Sequence, residues 1–154
     1  MVEQRGSVVN PGAEAIHVFL GVAGNNPAGP WCVCSLGVVG GKGYPYSRMV
    51  PGARTNFQAA WAAVALSIER LAGRPGVLNT TLQLLEQQAT RHDWKGATDL
   101  DEEGRAAWRQ CLTGEPAVRW TAMVHASRWV VEAQETARRG FAEWRFAEQG
   151  KVIP

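Results

Sequence analysis

The sequence predicts an α/β fold in which one mixed five-stranded sheet carries helices on both faces. Three short apolar segments separated by glycine-rich turns come first, and they are typical of an antiparallel meander. Segments with helical periodicity then alternate with short strand-like segments, which is typical of parallel pairing. The chain of 154 residues suits a single domain with one core. The predicted order is therefore βββ-α-β-α-α-β-α.

The meander is predicted from three apolar segments and the turns between them. Pro27, Gly29 and Pro30 enforce the first turn, and "GGKG" forms the second. The third strand belongs at a sheet edge, because Pro45 cannot donate a hydrogen bond to a neighbouring strand. The predicted strands are "IHVFL" (16–20), "WCVCSLGVV" (31–39) and "YPYSRMV" (44–50).

A helix follows, with Thr55 as its predicted N-cap and Gly73 as its stop. Its apolar residues recur at helical spacing and form one stripe that we expect to lie on the sheet. The stripe consists of Phe57, Trp61, Val64, Ile68 and Leu71.

The remaining elements alternate between strands and helices. Acidic residues open the helix at 99–112, where they oppose the helix dipole. Ser127 is the predicted cap of a last helix that has Val130, Ala133 and Ala137 on one face, continued by Phe141 and Trp144. The predicted ranges are strands at 76–80 and 117–123 and helices at 82–94, at 99–112 and from 127 onward.

Composition places the chain among soluble globular proteins. It is 45% apolar and 19% charged, and a formal charge of +2 is too small to indicate a strong nucleic-acid or membrane field by itself. Cys32, Cys34 and Cys111 form an odd, small set that indicates reduced thiols and a cytoplasmic location. No segment reaches the ~18 apolar residues of a membrane span. We expect a leader at 1–14, a domain at 15–148 and a tail at 149–154.

Five pieces of the sequence, in order, are similar to ribonuclease H of type 1 (RNase H). "FLGVAGNNPAGPW" resembles that family's first hairpin, and "TNFQAAWAAVALSIERL" resembles the start of its first helix. The resemblance implies the RNase H-like fold over roughly residues 16 to 145. The other similar pieces are "LNTTLQLL" (78–85), "AVRWTAMVHAS" (117–127) and "VEAQETARRG" (131–140).

The resemblance implies a degenerate catalytic site. The family cuts the RNA strand of a hybrid with two Mg²⁺ ions held by four carboxylates, and here those positions fall on Leu20, Ala60, Thr81 and Glu135. His125 matches the family's loop histidine approximately. The residues support this independently, because no Asp or Glu occurs from 15 to 68. We therefore expect a pseudoenzyme without metal or cofactor.

The resemblance also implies residues that contact nucleic acid. Thr55 and Asn56 correspond to backbone-contacting residues at the helix start, where free N–H groups suit a phosphate, and Asn26 and Gln83 correspond to minor-groove residues. Each of three residues also has a purely structural alternative. Thr55 can be an ordinary N-cap, Asn26 a turn residue and Gln83 a solvated helix residue. Four further candidates complete the set: Arg48 and Arg54 beside the groove, and Trp94 and Lys95 in a short basic segment.

Two functions remain open at this point. The first is a silent RNase H-like module that binds a hybrid or duplex. The second is a protein-interaction or architectural subunit that self-associates or binds a fixed partner, similar to the connection domain of retroviral reverse transcriptases, with Trp31, Trp94 or Trp129 in an exposed patch. A third reading, an enzyme with relocated acids at 99–103, is less favoured because dipole compensation explains those acids.

Overall fold

A mixed sheet of five strands organises the chain. The structure is a computed structural model that describes residues 14–25, 29–122 and 127–152. The strands are β1 (Ile16–Gly24), β2 (Trp31–Val39), β3 (Lys42–Val50), β4 (Gly76–Thr80) and β5 (Ala117–Trp120). The helices are α1 (Asn56–Leu71), α2 (Gln83–Gln88), α3 (Glu102–Cys111) and α4 (Arg128–Val152), with a 3₁₀ helix at Lys95–Asp99.

The strand order is β3-β2-β1-β4-β5, and it confirms the predicted mixed sheet. The meander β1-β2-β3 is antiparallel, while β4 pairs with β1 and β5 with β4 in parallel. Parallel neighbours need long crossovers, which α1 and the segment containing α2 and α3 provide. β4 pairs with β1 only over Ile16–Phe19, so among the described residues the second half of β1 has no strand neighbour on that side.

Helix α1 begins as predicted. The Thr55 hydroxyl accepts a hydrogen bond from the Gln58 backbone N–H at 3.1 Å, and the Gln58 amide accepts one from the Arg54 N–H at 2.6 Å. Two helix-start donors are thereby satisfied. The helix ends at Leu71 because Ala72 adopts the left-handed conformation (φ 52°), and Gly73 follows with φ 84°.

The core lies mainly between the sheet and α1. Its largest fully buried side chains include Trp61, Leu66, Leu78 and Leu85. A second, smaller cluster on the opposite face joins Cys34 and Leu36 of β2 to Ala133 and Ala137 of α4. The prediction of helices on both faces is confirmed.

Helix α4 lies unusually close to the sheet. A Cβ added at Gly21 of β1 would stand 2.3 Å from the Ala133 carbonyl oxygen, and one at Gly140 would stand 2.6 Å from Cys32 Sγ. Both distances are below normal contact, so the absence of side chains at these glycines permits the approach.

The three cysteines are buried and unpaired, which agrees with the prediction of reduced thiols. Burial raises the pKa of the Cys34 thiol to about 11 and that of Cys111 to about 12. These thiols are therefore neutral and unreactive at physiological pH.

Several predicted boundaries differ from the structure. α2 ends at Gln88 instead of residue 94, because the Trp108 indole N–H binds the Gln88 carbonyl oxygen (2.9 Å) and turns follow. α3 starts after Asp101, whose carboxylate caps it through the Gly104 N–H (2.7 Å), and β5 is described only to Trp120. α4 continues through residues 149–152, which we had assigned to a tail. Among the described helices, none has the length and apolarity needed to cross a bilayer.

Candidate functional site

A cleft of about 340 Å³ opens where β1 and β4 separate. The ends of both strands, the start of α1 and one face of α4 meet there, which is the usual position of a ligand site in an open α/β sheet. Its lining residues are Leu20, Val22, Trp31, Asn56, Thr80, Thr81, Leu82, Val130, Gln134 and Arg138.

The cleft contains two of the four positions that the resemblance assigned to metal ligands. Leu20 and Thr81 line it directly. Ala60 lies one helical turn after Asn56, is buried in the main core and does not line the cleft. The structure thus brings Leu20 and Thr81 together at the cleft and places Ala60 in the main core.

The assignment of the fourth position to Glu135 is wrong in geometry. Glu135 is exposed on α4, and its nearest cationic partner is Arg138, at 3.9 Å. Gln134, one residue earlier, lines the cleft instead. One residue along a helix rotates a side chain by about 100°, so a shift of one in the alignment moves the group out of the site.

Gln134 has a specific structural partner in β1. Its Nε2 donates to the Val22 carbonyl oxygen at 2.6 Å, and its Oε1 accepts from the Val22 N–H at 3.2 Å. These are the backbone groups that β4 leaves unpaired beyond Phe19. An amide serves both, since it offers one donor and one acceptor, and a carboxylate would oppose the carbonyl oxygen.

The electrostatic character of the cleft is set by Arg138. Val130, Gln134 and Arg138 recur at intervals of four and therefore share the face of α4 that closes the cleft. No Asp or Glu is found among the lining residues that the structure describes. Across residues 14–25, 29–122 and 127–152, no group of three or more His, Cys, Asp or Glu side chains could hold a metal ion.

Trp31 forms one wall of the cleft and is only 7% exposed. A Cβ on Gly24 would stand 2.6 Å from its ring, so the ring lies directly over that glycine. Its indole Nε1 is buried and has no hydrogen-bond partner in the part of the chain that the structure describes. A buried donor without an acceptor is costly and calls for an explanation.

The tryptophans that we placed in an exposed patch are packed instead. Trp94 stacks on Trp61 (5.8 Å between ring centroids) and meets Trp108 edge-on (5.9 Å). Trp129 packs against the smaller cluster beneath the Arg128 guanidinium, 4.2 Å from the ring centroid. With Trp31 buried as well, the predicted tryptophan patch is not formed.

Several predicted contact residues gather at a second cleft of about 480 Å³ beside the start of α1. Thr55, Asn56 and Trp94 line it, and Asn56 lines the first cleft as well. Thr55 also acts as the N-cap, its structural alternative. The two clefts therefore adjoin at Asn56.

Four other predicted contact residues lie outside both clefts. Arg48 pairs with Glu69 at 3.8 Å, and the Arg54 guanidinium donates to the carbonyl oxygen of Pro51 at 2.8 Å. Gln83 and Lys95 are exposed and line neither cleft. Asn26 and His125 lie outside the described residues.

Sequence reasoning missed the residues that close the first cleft. Trp31 was weighed only as a surface residue, and Gln134 and Arg138 were not considered. The spacing of four from Val130 was the available signal, because it places all three α4 residues on one face.

Comparison with solved structures agrees with the fold. RNase H1 from the halophilic archaeon Halobacterium salinarum superposes with a TM-score of 0.60 at 26% identity, covering 80% of this chain and 94% of that one. LC11-RNase H1, isolated from compost, superposes with a TM-score of 0.63 at 13% identity, covering 84% of this chain and 96% of that one. The structure of LC11-RNase H1 in complex with an RNA/DNA hybrid superposes with a TM-score of 0.55 at 14% identity, covering 79% of this chain and 98% of that one. No protein-family model matches the sequence, and no curated protein matches it significantly. The chain has the RNase H-like fold.

Proposed function

We propose that this chain binds nucleic acid, as an RNA/DNA hybrid or a duplex, and does not cleave it. The observation that carries the proposal is the lining of the first cleft, where apolar and amide side chains and one arginine stand at the centre of an RNase H-like fold. The function is that of a pseudo-ribonuclease.

The proposed loss of cleavage follows from metal chemistry. Two-metal hydrolysis needs carboxylates to hold the ions that activate water and stabilise the leaving oxygen. Leu20 and Thr81 offer no anionic oxygen, and the Gln134 amide is engaged with β1. Arg138 repels a divalent cation from the same space. Neither nucleophile activation nor leaving-group stabilisation is then available.

The proposed binding rests on fold and surface. LC11-RNase H1, which shares the fold, was crystallised with an RNA/DNA hybrid. In this chain, Asn56 lies where the two clefts adjoin, at the N-terminus of a 16-residue helix. Helix N-termini favour phosphate, since their free N–H groups and dipole attract anions. The buried, unpaired thiols suit a reducing compartment such as the cytoplasm.

The test combines a binding assay with a cleavage assay on the same labelled hybrid. We expect measurable affinity at low salt that falls steeply as NaCl is raised, and no product with Mg²⁺ or Mn²⁺. Asn56→Ala should weaken binding, with the unfolding midpoint as the control for folding. Absence of affinity at low salt refutes the binding function, and metal-dependent product refutes the pseudoenzyme assignment.

A protein-interaction subunit is the second candidate function, and one surface favours it. Val39, Tyr44 and Tyr46 are each about half exposed (53%, 50% and 51%) and cluster on the β2-β3 hairpin. β3 is an edge strand, and such strands expose backbone groups to partners. Sedimentation of the wild type and of Tyr44→Ser/Tyr46→Ser tests it: a concentration-dependent dimer lost in the variant supports a self-association interface. A wild-type protein that stays monomeric at every concentration excludes self-association through this surface.

A further inference from the structure

The lining residues of the first cleft carry hydrogen-bond donors, and none of those that the structure describes is negatively charged. The Arg138 guanidinium can only donate, and so can the Trp31 indole N–H. The Thr80 hydroxyl oxygen accepts from the Leu82 backbone N–H at 3.0 Å, which leaves its proton for donation. Such a donor set is complementary to an anionic oxygen group.

The unpartnered Trp31 nitrogen is the second and independent indication. It belongs to a side chain that is 7% exposed and lines the cleft, and it has no acceptor. Buried donors in native proteins are normally satisfied by protein, water or a ligand. This atom has almost no accessible surface, so an acceptor in the cleft would satisfy it only with a shift of the indole ring.

Arg138 is only weakly committed within the protein. Its ion pair with Glu135 is long (3.9 Å), and both side chains are more than half exposed, at 64% and 56%. Exposed pairs of this kind contribute little, so the guanidinium can turn to a stronger acceptor without a large loss.

The walls of the cleft strengthen such a contact. Leu20, Val22, Leu82 and Val130 surround the donors with apolar surface. Charge-assisted hydrogen bonds gain strength when a bound ligand displaces water from such a surface and the effective dielectric constant falls. An anion seated against this surface would meet no competing carboxylate from the described lining.

We propose that this cleft binds one backbone phosphate group of the nucleic acid directly, through Arg138 and beside the Trp31 indole, with no metal ion between protein and phosphate. The inference rests on the proposed nucleic-acid-binding function. The protein itself supplies the positive charge at this point, so binding is independent of divalent cations.

The test compares Arg138→Gln with Arg139→Gln, its neighbour on the exposed side of α4. Hybrid affinity is measured across NaCl concentrations in EDTA and again in Mg²⁺. We expect Arg138→Gln to weaken binding about tenfold and to lower the salt slope by about one phosphate contact. Arg139→Gln should change affinity by less than about threefold, and EDTA should not weaken wild-type binding.

A second readout reports on Trp31 directly. The indole ¹H–¹⁵N resonance, assigned by its loss in Trp31→Phe, should shift when a short hybrid is added to the wild type and should not shift in Arg138→Gln. Wild-type binding with equal affinities for the two arginine variants, an unmoved indole resonance, or loss of affinity in EDTA overturns the inference and leaves the proposed function standing. Failure of the wild type to bind any hybrid overturns both.

Discussion

The two faces of the sheet are packed in different ways. On the α1 face, large side chains such as Trp61, Leu66 and Leu78 fill a thick core. On the α4 face, small residues and Gly21 let the helix touch the strands with little side chain between them. The thick face suits stability, because it buries most of the apolar surface. The thin face suits positioning, because close contact holds Gln134 and Arg138 at the rim of the cleft.

Removing one tryptophan from each face gives the largest expected effects and tests the comparison most directly. Trp61→Ala should lower the free energy of unfolding by about 3–5 kcal/mol, since Trp61 is fully buried and its indole binds Gln88 at 2.9 Å. Trp129→Ala, on a half-buried residue of the α4 face, should lower it by about 1–2 kcal/mol. Urea denaturation measures both, and equal losses would contradict the division between the faces.

A single methyl group on the thin face should separate α4 from β1. Gly21→Ala should cost about 1–3 kcal/mol, because its Cβ would press on the Ala133 backbone, which cannot move without the helix. Gly37→Ala in β2 is the matched control, since nothing lies within 4 Å of its added Cβ. The denaturation midpoint and the hybrid affinity are measured for both variants. A Gly21→Ala protein as stable as Gly37→Ala would show that the close approach of α4 to β1 does not contribute to stability.

Gln134→Glu tests whether the amide is needed at the rim. The introduced carboxylate keeps the acceptor for the Val22 N–H but opposes the Val22 carbonyl oxygen, so we expect a loss of about 1–2 kcal/mol at neutral pH. That opposition raises the folded-state pKa of the new carboxyl group. The variant's stability is therefore highest at acid pH, and its deficit relative to wild type should narrow as pH falls toward about 4.3, the ordinary pKa of a glutamate. A deficit that does not depend on pH contradicts the two-bond arrangement.

The smallest expected effect concerns the thiols, one on each face. Unfolded thiols ionise near their ordinary pKa of 9.0, and burial raises the pKa to about 11 for Cys34 and about 12 for Cys111. Stability due to the neutral thiols is complete below pH 9 and falls as pH rises toward these values, by about 1.4 kcal/mol per pH unit for each thiol. Cys34→Ala and Cys111→Ala should each flatten the alkaline decline of the unfolding midpoint, and a decline unchanged in both would contradict this.

Most of the fold could be predicted from local pattern. The apolar stripe of α1, the Thr55 cap and the glycine-rich turns each indicate one structure, and they agree with one another. The boundaries that failed depend on distant contacts, such as the Trp108 indole bound to the Gln88 carbonyl oxygen. Nothing near residue 88 in the sequence indicates that contact.

The site was predictable only where a strand carries it. Leu20 and Thr81 lie at strand ends, where position along the chain determines position in the cleft. On α4, the choice between Glu135 and Gln134 depends on the rotation of the helix, which packing against Gly21 determines. Trp31 was misjudged because its burial depends on the ring lying over Gly24.

The pair of hydrogen bonds between Gln134 and Val22 has one more consequence. Beyond Phe19, where β4 no longer pairs with β1, the backbone N–H and C=O groups of β1 would otherwise be free to pair with a strand from another polypeptide. The side-chain amide already occupies those sites, as a strand of a single residue would. Another polypeptide therefore cannot pair with β1 at Val22, while the space between β1 and β4 remains open as the first cleft.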